Sequence, residues 1–136
     1  MLLEAPAILL TAAVTALAIL ITTAFAILVS RARRRMHVEP PAITGPIELE
    51  RTIRVHANTV EAMVLFVPAL WLAAIYFQGW VPPIIGLIWC LGRVVYGLGY
   101  SVDAARRLPG FIVSQLALLA LVVVAVIGIV NAWIAA

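Results

Sequence analysis

The fold is decided by residues 48–77, ELERTIRVHANTVEAMVLFVPALWLAAIYF, in which a polar half leads directly into an apolar half. The part without charge, 62–77, would reach only about 24 Å as an α-helix, whereas the hydrocarbon core of a bilayer is roughly 30 Å thick. A helix that crosses a membrane here must therefore take some of its polar half, with Asn58 and Glu61, to membrane depth. We predict a membrane helix over about residues 47–77 that carries ionisable side chains into the bilayer.

Three further apolar blocks surround this stretch and predict helices over about residues 5–35, 81–107 and 110–135. The 136-residue chain is 65% hydrophobic and 11% charged, with a mean hydropathy of +1.17. An ordinary soluble domain is only about half apolar and about a quarter charged. We therefore predict an all-α integral membrane protein, with one four-transmembrane-helix bundle over residues 1–136. This composition excludes a disordered chain, a disulfide scaffold and a nucleic-acid-binding module, so we expect no nucleic acid partner.

The arginines predict how the four helices are oriented in the membrane. All nine basic residues are arginines; four lie at 31–35 in the first loop and two at 106–107 in the third, while both chain ends and the second loop have none. Because positive loops stay in the cytoplasm, the N and C termini should lie on the non-cytoplasmic side. A basic set made of arginine alone is typical of a GC-rich bacterial genome, which points to a bacterial inner membrane.

A polar stripe runs along the predicted second helix. Its members are spaced by three, four and three residues, which places them on one helical face: Arg51, Arg54, Asn58 and Glu61. A solvated helix start explains the first residues of the stripe. It explains Glu61 poorly, because an ionisable group at that depth is costly unless it is paired or lines a wet cavity. We therefore interpret the stripe as a binding surface.

A second polar stripe follows at spacings of three, four and seven residues on the predicted third helix: Arg93, Tyr96, Tyr100 and Arg107. Since the second helix leaves the cytosol and the third returns to it, the two stripes should lie at the same level. Arg34, at the end of the first helix, reaches that level too. The sequence thus predicts a cationic cavity holding one acid, suited to a small anion with carboxylates and an amine, beside a lipid-exposed path for an apolar co-substrate.

The remaining candidate residues favour simpler interpretations. Cys90 lies in an apolar run and is expected to pack as a small hydrophobe. Neither His37 nor His56 has another ligand at metal-binding spacing, so we expect no metal. His56 faces away from Arg54 and is placed near a neighbouring helix or subunit.

At this point the residues resemble a known family. The motif Pro40-Pro41-x-x-Thr44-Gly45-Pro46-x-x-x-Glu50-Arg51-x-x-Arg54-x-x-x-Asn58-x-x-Glu61 and the motif Arg93-x-x-Tyr96-x-x-x-Tyr100, followed by Arg107, are similar to those of the MAPEG family, membrane-associated proteins in eicosanoid and glutathione metabolism. The resemblance covers nearly the whole chain. It implies a homotrimer in the membrane lipid that binds glutathione between subunits, with its active site towards the cytoplasm, and that is a glutathione S-transferase or peroxidase acting on a lipophilic electrophile or lipid hydroperoxide.

The resemblance also implies roles for individual residues. Glu61 would hold the amine of glutathione and Arg54 a carboxylate, while Arg107 and Arg34 match the positions nearest the thiol and are the expected catalytic residues. The other residues expected to bind glutathione are Arg51, His56, Asn58, Arg93, Tyr96 and Tyr100.

The sequence departs from one branch of the family at two positions. Ala62 stands where the leukotriene-synthase-like branch has a tyrosine, and Val95 where it has an arginine, which favours a broader detoxifying enzyme.

Two rival functions stand beside this one. The first rival is a non-catalytic lipid- or glutathione-binding protein of the same fold. The second is a small multidrug exporter, but an arginine-rich cavity repels the cations that such an exporter carries.

Overall fold

The computed structural model describes residues 5–136 and consists almost entirely of helix. It contains α1 (Ala5–Met36), α2 (Ile47–Tyr76), α3 (Val81–Val102), a 3₁₀ turn (Ala104–Arg107) and α4 (Leu108–Ile134). Each of the four α-helices is long and apolar enough to cross a membrane. The protein is therefore all-helical, with four candidate membrane spans.

The helix starts follow from local chemistry. Prolines stand in the first turn of α3 and of α4, where the missing N–H costs nothing because it would have no partner inside the helix. The chain reverses between α2 and α3 through Gln78 and Gly79, both of which have positive φ. Short connections of this kind set α2 beside α3, and α3 beside α4.

The core between the helices is small and tightly packed. At its centre the rings of Phe66 and Trp89 stack with centroids 3.8 Å apart and an interplanar angle of 6°. Close approach of α3 and α4 depends on glycine: a Cβ on Gly92 would lie 2.8 Å from the backbone N of Ser114. Small residues at such crossings are typical of membrane helices, which gain little from the hydrophobic effect when they pair.

Large apolar side chains point outward instead. Leu98 and Leu116 are 66% and 61% exposed on the protomer, as expected for surfaces that face lipid or another subunit. The fully buried residues, in contrast, include polar Thr59 and Arg93. Part of the polar chemistry of the molecule therefore lies between the helices.

The predicted third helix over 81–107 is wrong at its end. α3 stops at Val102, and Asp103 adopts an extended backbone whose side chain accepts a hydrogen bond from the backbone N of Ala105. Asp side chains compete for backbone donors in this way and so favour helix boundaries. Arg107 consequently lies on the 3₁₀ turn and not on the helical face of Arg93 and Tyr100.

Candidate functional site

A cavity of about 320 Å³ lies between α2, α3 and α4. Four predicted site residues line it. Its full lining is Asn58, Glu61, Ala62, Leu65, Arg93, Tyr96, Phe111 and Gln115, and we call it the α2–α4 cavity. The two polar stripes predicted from the sequence therefore meet here.

The stripes are joined by a direct hydrogen bond. Nδ2 of Asn58 donates to Oη of Tyr96 across 2.6 Å, linking the middle of α2 to α3. The amide and the phenol are thereby fixed at the wall of the α2–α4 cavity. Tyr96 also meets Tyr100 edge to face, with ring centroids 5.7 Å apart, which continues the polar wall towards the end of α3.

Arg93 supplies a buried positive charge to the same cavity. It is 1% exposed; its Nη2 donates to Oγ1 of Thr59 at 2.8 Å, and its guanidinium carbon lies 4.2 Å from the ring centroid of Tyr96. Its Nε has no hydrogen-bond partner. Within residues 5–136, the ion pair that forms joins Arg35 to Glu48 and leaves Arg93 without a carboxylate. A buried cation of this kind favours an anionic ligand, because an uncompensated charge is costly in a low-dielectric site.

Arg54 lies one helical turn before Asn58 and is exposed on the protomer. It lines a groove of about 360 Å³ with Ile43, Thr44, Glu50, Ile53 and Ala57, which we call the Arg54 groove. Glu50 Oε1 accepts a hydrogen bond from the backbone N of Gly45 at 3.0 Å, so this carboxylate serves the loop before α2. The Arg54 groove and the α2–α4 cavity follow each other along one face of α2.

Arg51, although part of the predicted stripe, contacts the protein backbone. Its Nη1 donates to the carbonyl oxygen of Val102 at 2.9 Å. The contact joins the first part of α2 to the end of α3.

Arg107 reaches the site through Tyr100. Its Nη1 donates to Oη of Tyr100 at 3.2 Å, and its guanidinium carbon lies 5.2 Å from the ring centroid. Because Tyr100 packs on Tyr96, the cation of Arg107 stands at the end of the aromatic wall of the cavity.

Two predicted residues lie apart from this set on the protomer. Arg34 is exposed at the end of α1 and lines another groove, with Ser30, Arg33, Val38, Glu39 and Pro40. His56 is half-buried on α2, two residues from Arg54 and so on a different face. Neither side chain is part of the lining of the α2–α4 cavity.

The structure adds residues that the sequence reasoning missed. Gln115 lines the cavity from α4, and Thr59 holds Arg93. Gln115 had a visible signal, since it is an amide in an otherwise apolar helix. Thr59 had none, because a threonine in a membrane helix ordinarily bonds to its own backbone, and Thr59 does so as well, to the carbonyl of Val55.

Among residues 5–136 there is no group of three or more His, Cys, Asp or Glu side chains that could hold a metal ion. The polar groups that line the α2–α4 cavity are guanidinium, phenol, amide and carboxylate groups. Together they can bind a small zwitterionic anion and stabilise negative charge that develops on it.

The fold defines a multi-pass helical membrane protein with a polar cavity between α2, α3 and α4. The sequence profile of the MAPEG family matches residues 11–127, and the chain belongs to that family.

Several known proteins are similar in sequence to this chain. An uncharacterized protein of Synechocystis sp. is 42% identical over 87% of this chain and 86% of its own length. Microsomal glutathione S-transferase 2 of Homo sapiens is 38% identical over 81% of this chain and 75% of its own. Leukotriene C4 synthase of Rattus norvegicus is 38% identical over 87% of this chain and 79% of its own.

Proposed function

We propose that this protein is a membrane-bound glutathione transferase whose ligand lies in the α2–α4 cavity and the Arg54 groove. The observation that carries the proposal is the pattern of charges on the facing parts of α2 and α3. Glu61 lines a cavity that also holds the unpaired cation of Arg93, and Arg54 lines the adjoining groove. Glutathione carries two carboxylates and one ammonium, which complements this pattern. The names of two relatives, a glutathione S-transferase and a leukotriene C4 synthase, support the same class of substrate.

Each polar group then has a place in binding. The carboxylate of Glu61 accepts hydrogen bonds from the ligand amine, and Arg54 donates to a ligand carboxylate; such charge-assisted bonds are the strong kind. Asn58 and Tyr96, already tied to each other, form the wall between them. These groups fix the two ends of the tripeptide and leave its thiol near the cytosolic end of α3.

Arg107 is the residue that we assign to the chemistry, together with Arg34 of a neighbouring subunit. The nucleophile of glutathione is its thiolate, and a free thiol of pKa about 8.5 is only slightly ionised at neutral pH. A fixed guanidinium favours the ionised sulfur and keeps its own proton. The thiolate attacks an electrophilic carbon, a C–S bond forms, the leaving group departs with its electron pair, and the thiol proton goes to water.

The same thiolate accounts for peroxide reduction. The thiolate attacks the terminal oxygen of a lipid hydroperoxide, the O–O bond breaks, and an alcohol leaves after protonation while the sulfur keeps the hydroxyl as a sulfenic acid. The thiolate of a second glutathione then attacks this sulfur and displaces the hydroxyl as water, which gives glutathione disulfide. The two glutathiones are oxidised and the hydroperoxide is reduced. The electrophile and the lipid hydroperoxide can each reach the site through the lipid, because the outer faces of the protomer are apolar.

The proposal is tested on purified protein in mild detergent. We expect glutathione to bind by titration calorimetry, and conjugation of a generic aryl halide to require it. Glu61→Gln should weaken glutathione binding about tenfold or more, the scale of losing one charged hydrogen bond, while turnover at saturation changes little.

A control at the other end of the protein separates a specific effect from a general one. Asn131→Ala removes a polar group near the end of α4, far along the chain from the cavity lining, and should leave both quantities unchanged. No binding of glutathione to the unaltered protein would refute the proposal. Binding without conjugation or peroxide reduction would instead identify a non-catalytic binder.

A further inference from the structure

Arg51 is the one member of the α2 stripe whose guanidinium is tied to the backbone. Its Nη1 donates to the carbonyl oxygen of Val102, the last residue of α3, at 2.9 Å. The last carbonyls of a helix have no partner inside it, and a cation at a helix C-terminus is electrostatically favourable. Arg51 therefore acts as a side-chain cap for α3, supplied by a different helix.

The segment directly after this cap carries Arg107. Asp103 ends α3, and its carboxylate accepts from the backbone N of Ala105, which starts the 3₁₀ turn. On the other side, a Cβ on Gly99 would clash with the carbonyl oxygen of Arg106, so the turn is folded tightly back onto α3. The turn that carries Arg107 is thus held by contacts along itself and with α3, and Arg51 of α2 holds the end of α3 from which the turn starts.

The Arg51 side chain lies outside the two sites proposed for the ligand. Neither the α2–α4 cavity nor the Arg54 groove includes Arg51 in its lining. The guanidinium is therefore directed at the end of α3, while Arg54, three residues later, lines the groove.

The structure assigns Arg51 as a positioning residue that acts on glutathione only through Arg107. This inference rests on the proposed function and deepens it. By anchoring the carbonyl of Val102, Arg51 holds the 3₁₀ turn so that the Arg107 guanidinium stays beside Tyr100 and the reacting sulfur. Arg51 itself does not touch the ligand.

The test compares Arg51→Met, which keeps the aliphatic stem but loses the charge and the donors, with Arg106→Met, which removes an equal charge from the turn itself. We expect Arg51→Met to lower turnover between about ten- and a hundredfold, because small misplacements of a catalytic group cost this much. The ultraviolet thiolate absorbance of bound glutathione should fall in parallel, and the dissociation constant should stay within about twofold. Arg106→Met should change none of the three.

The decisive step is a double-variant cycle with Arg107→Ala. If Arg51 acts through Arg107, adding Arg51→Met to Arg107→Ala causes no further loss of turnover, whereas a general structural effect persists in that background. Arg51→Lys keeps the charge and one donor and should recover a large part of the thiolate absorbance. Arg51→Gln replaces Arg51→Met in the same measurements if the latter does not fold.

Three results would overturn the assignment. The first is unchanged turnover and thiolate absorbance in Arg51→Met. The second is a tenfold or larger rise in the glutathione dissociation constant, which would make Arg51 a direct ligand contact. The third is a further loss in the double variant. Failure of the unaltered protein to bind glutathione is a separate outcome, since it refutes the proposed function itself.

Discussion

Arg93 is buried inside the protomer, yet its guanidinium contacts a threonine hydroxyl and two aromatic rings and, within the described residues, no carboxylate. Contacts of a cation with aromatic faces are worth about 0.5–2 kcal/mol, less than the cost of removing the cation from water. The residue is therefore incompletely compensated in the protomer as it stands. A ligand carboxylate in the α2–α4 cavity would supply the missing charge.

The first prediction concerns the side chain of Arg107. Arg107→Ala should reduce turnover roughly a hundredfold or more, the scale of losing one donor that stabilises a developing charge. The thiolate absorbance of bound glutathione should fade, because the adjacent positive charge is gone. Glutathione should still bind, since Glu61 and Arg54 hold its ends. Stopped-flow absorbance and steady-state conjugation measure these effects.

The contrasting variant is Arg106→Ala. Arg106 shares the turn and the charge but is outward-facing and should be dispensable. If Arg107→Ala keeps its thiolate absorbance and turnover while Arg34→Ala or Arg106→Ala abolishes them, the thiolate partner has been assigned to the wrong arginine.

At the scale of helices, α3 and α4 show why some features were predictable and others were not. The four spans followed from four apolar runs, of which the second must include part of its polar half to cross a bilayer. The meeting of the two polar stripes followed from two antiparallel helices with polar faces at one level. The end of α3 did not, because hydropathy and helical spacing continue smoothly past Asp103. That break is decided by one carboxylate bonding to the backbone N of Ala105.

The partners of individual side chains were equally hidden in the sequence. Arg51 and Arg54 share spacing and chemistry, yet the first caps α3 and the second lines a groove. Their difference arises from where the turn after Val102 comes to lie, which is a tertiary contact. A pattern along one helix indicates which face is polar. The packing of the helices then determines which side chains of that face contact protein and which line a cavity.

Gly110 carries the prediction at the scale of packed helices. A Cβ at this position would clash with the backbone of Tyr96, so Gly110→Ala must push α4 away from α3. Overpacking of this kind costs about 1–3 kcal/mol, and we expect a lower unfolding midpoint by circular dichroism in detergent. Because Tyr96 lines the α2–α4 cavity, weaker glutathione binding should accompany it.

Gly45→Ala is the matched substitution for that experiment. A Cβ there would meet Val38 Cγ2 at 3.5 Å, an ordinary van der Waals distance, so the unfolding midpoint should not move. Equal midpoints for Gly110→Ala and Gly45→Ala would contradict the close approach of α3 and α4.

The whole molecule raises the question of orientation, which the arginine distribution predicts. Cysteine introduced as Trp80→Cys, in the exposed turn between α2 and α3, should react with a membrane-impermeant maleimide added outside intact cells. Cysteine introduced as Glu39→Cys, in the arginine-flanked first loop, should react only after the membrane is opened. The native Cys90 is 2% exposed and should leave the parent protein unlabelled. Labelling of residue 39 from outside would place the cationic site on the opposite side.

Assembly is the second question at this scale. The protomer leaves Arg54 and Glu61 exposed on α2, at a depth where lipid contact with ionisable groups is costly. A homotrimer would cover this face with a neighbouring subunit, and would bring Arg34 of that neighbour towards the site. Native mass spectrometry in mild detergent should therefore show three copies of the chain. A monomer alone under conditions that preserve activity would contradict this arrangement.

Mixed trimers test directly whether two subunits share one site. Arg34→Ala and Arg107→Ala proteins should each be nearly inactive, because each lacks one of the two groups nearest the sulfur. Suppose that each site takes Arg107 from one protomer and Arg34 from its neighbour. A site is then intact when the first protomer carries Arg34→Ala and the neighbour carries Arg107→Ala. Random assembly of equal amounts in a cyclic trimer makes about one quarter of all sites intact. Coexpression should accordingly restore about a quarter of the unaltered activity, whereas mixing the two proteins after purification, without exchange of subunits, should restore none. If Arg34 and Arg107 belonged to the same protomer's site, every site in a mixed trimer would lack one of them and coexpression would restore nothing.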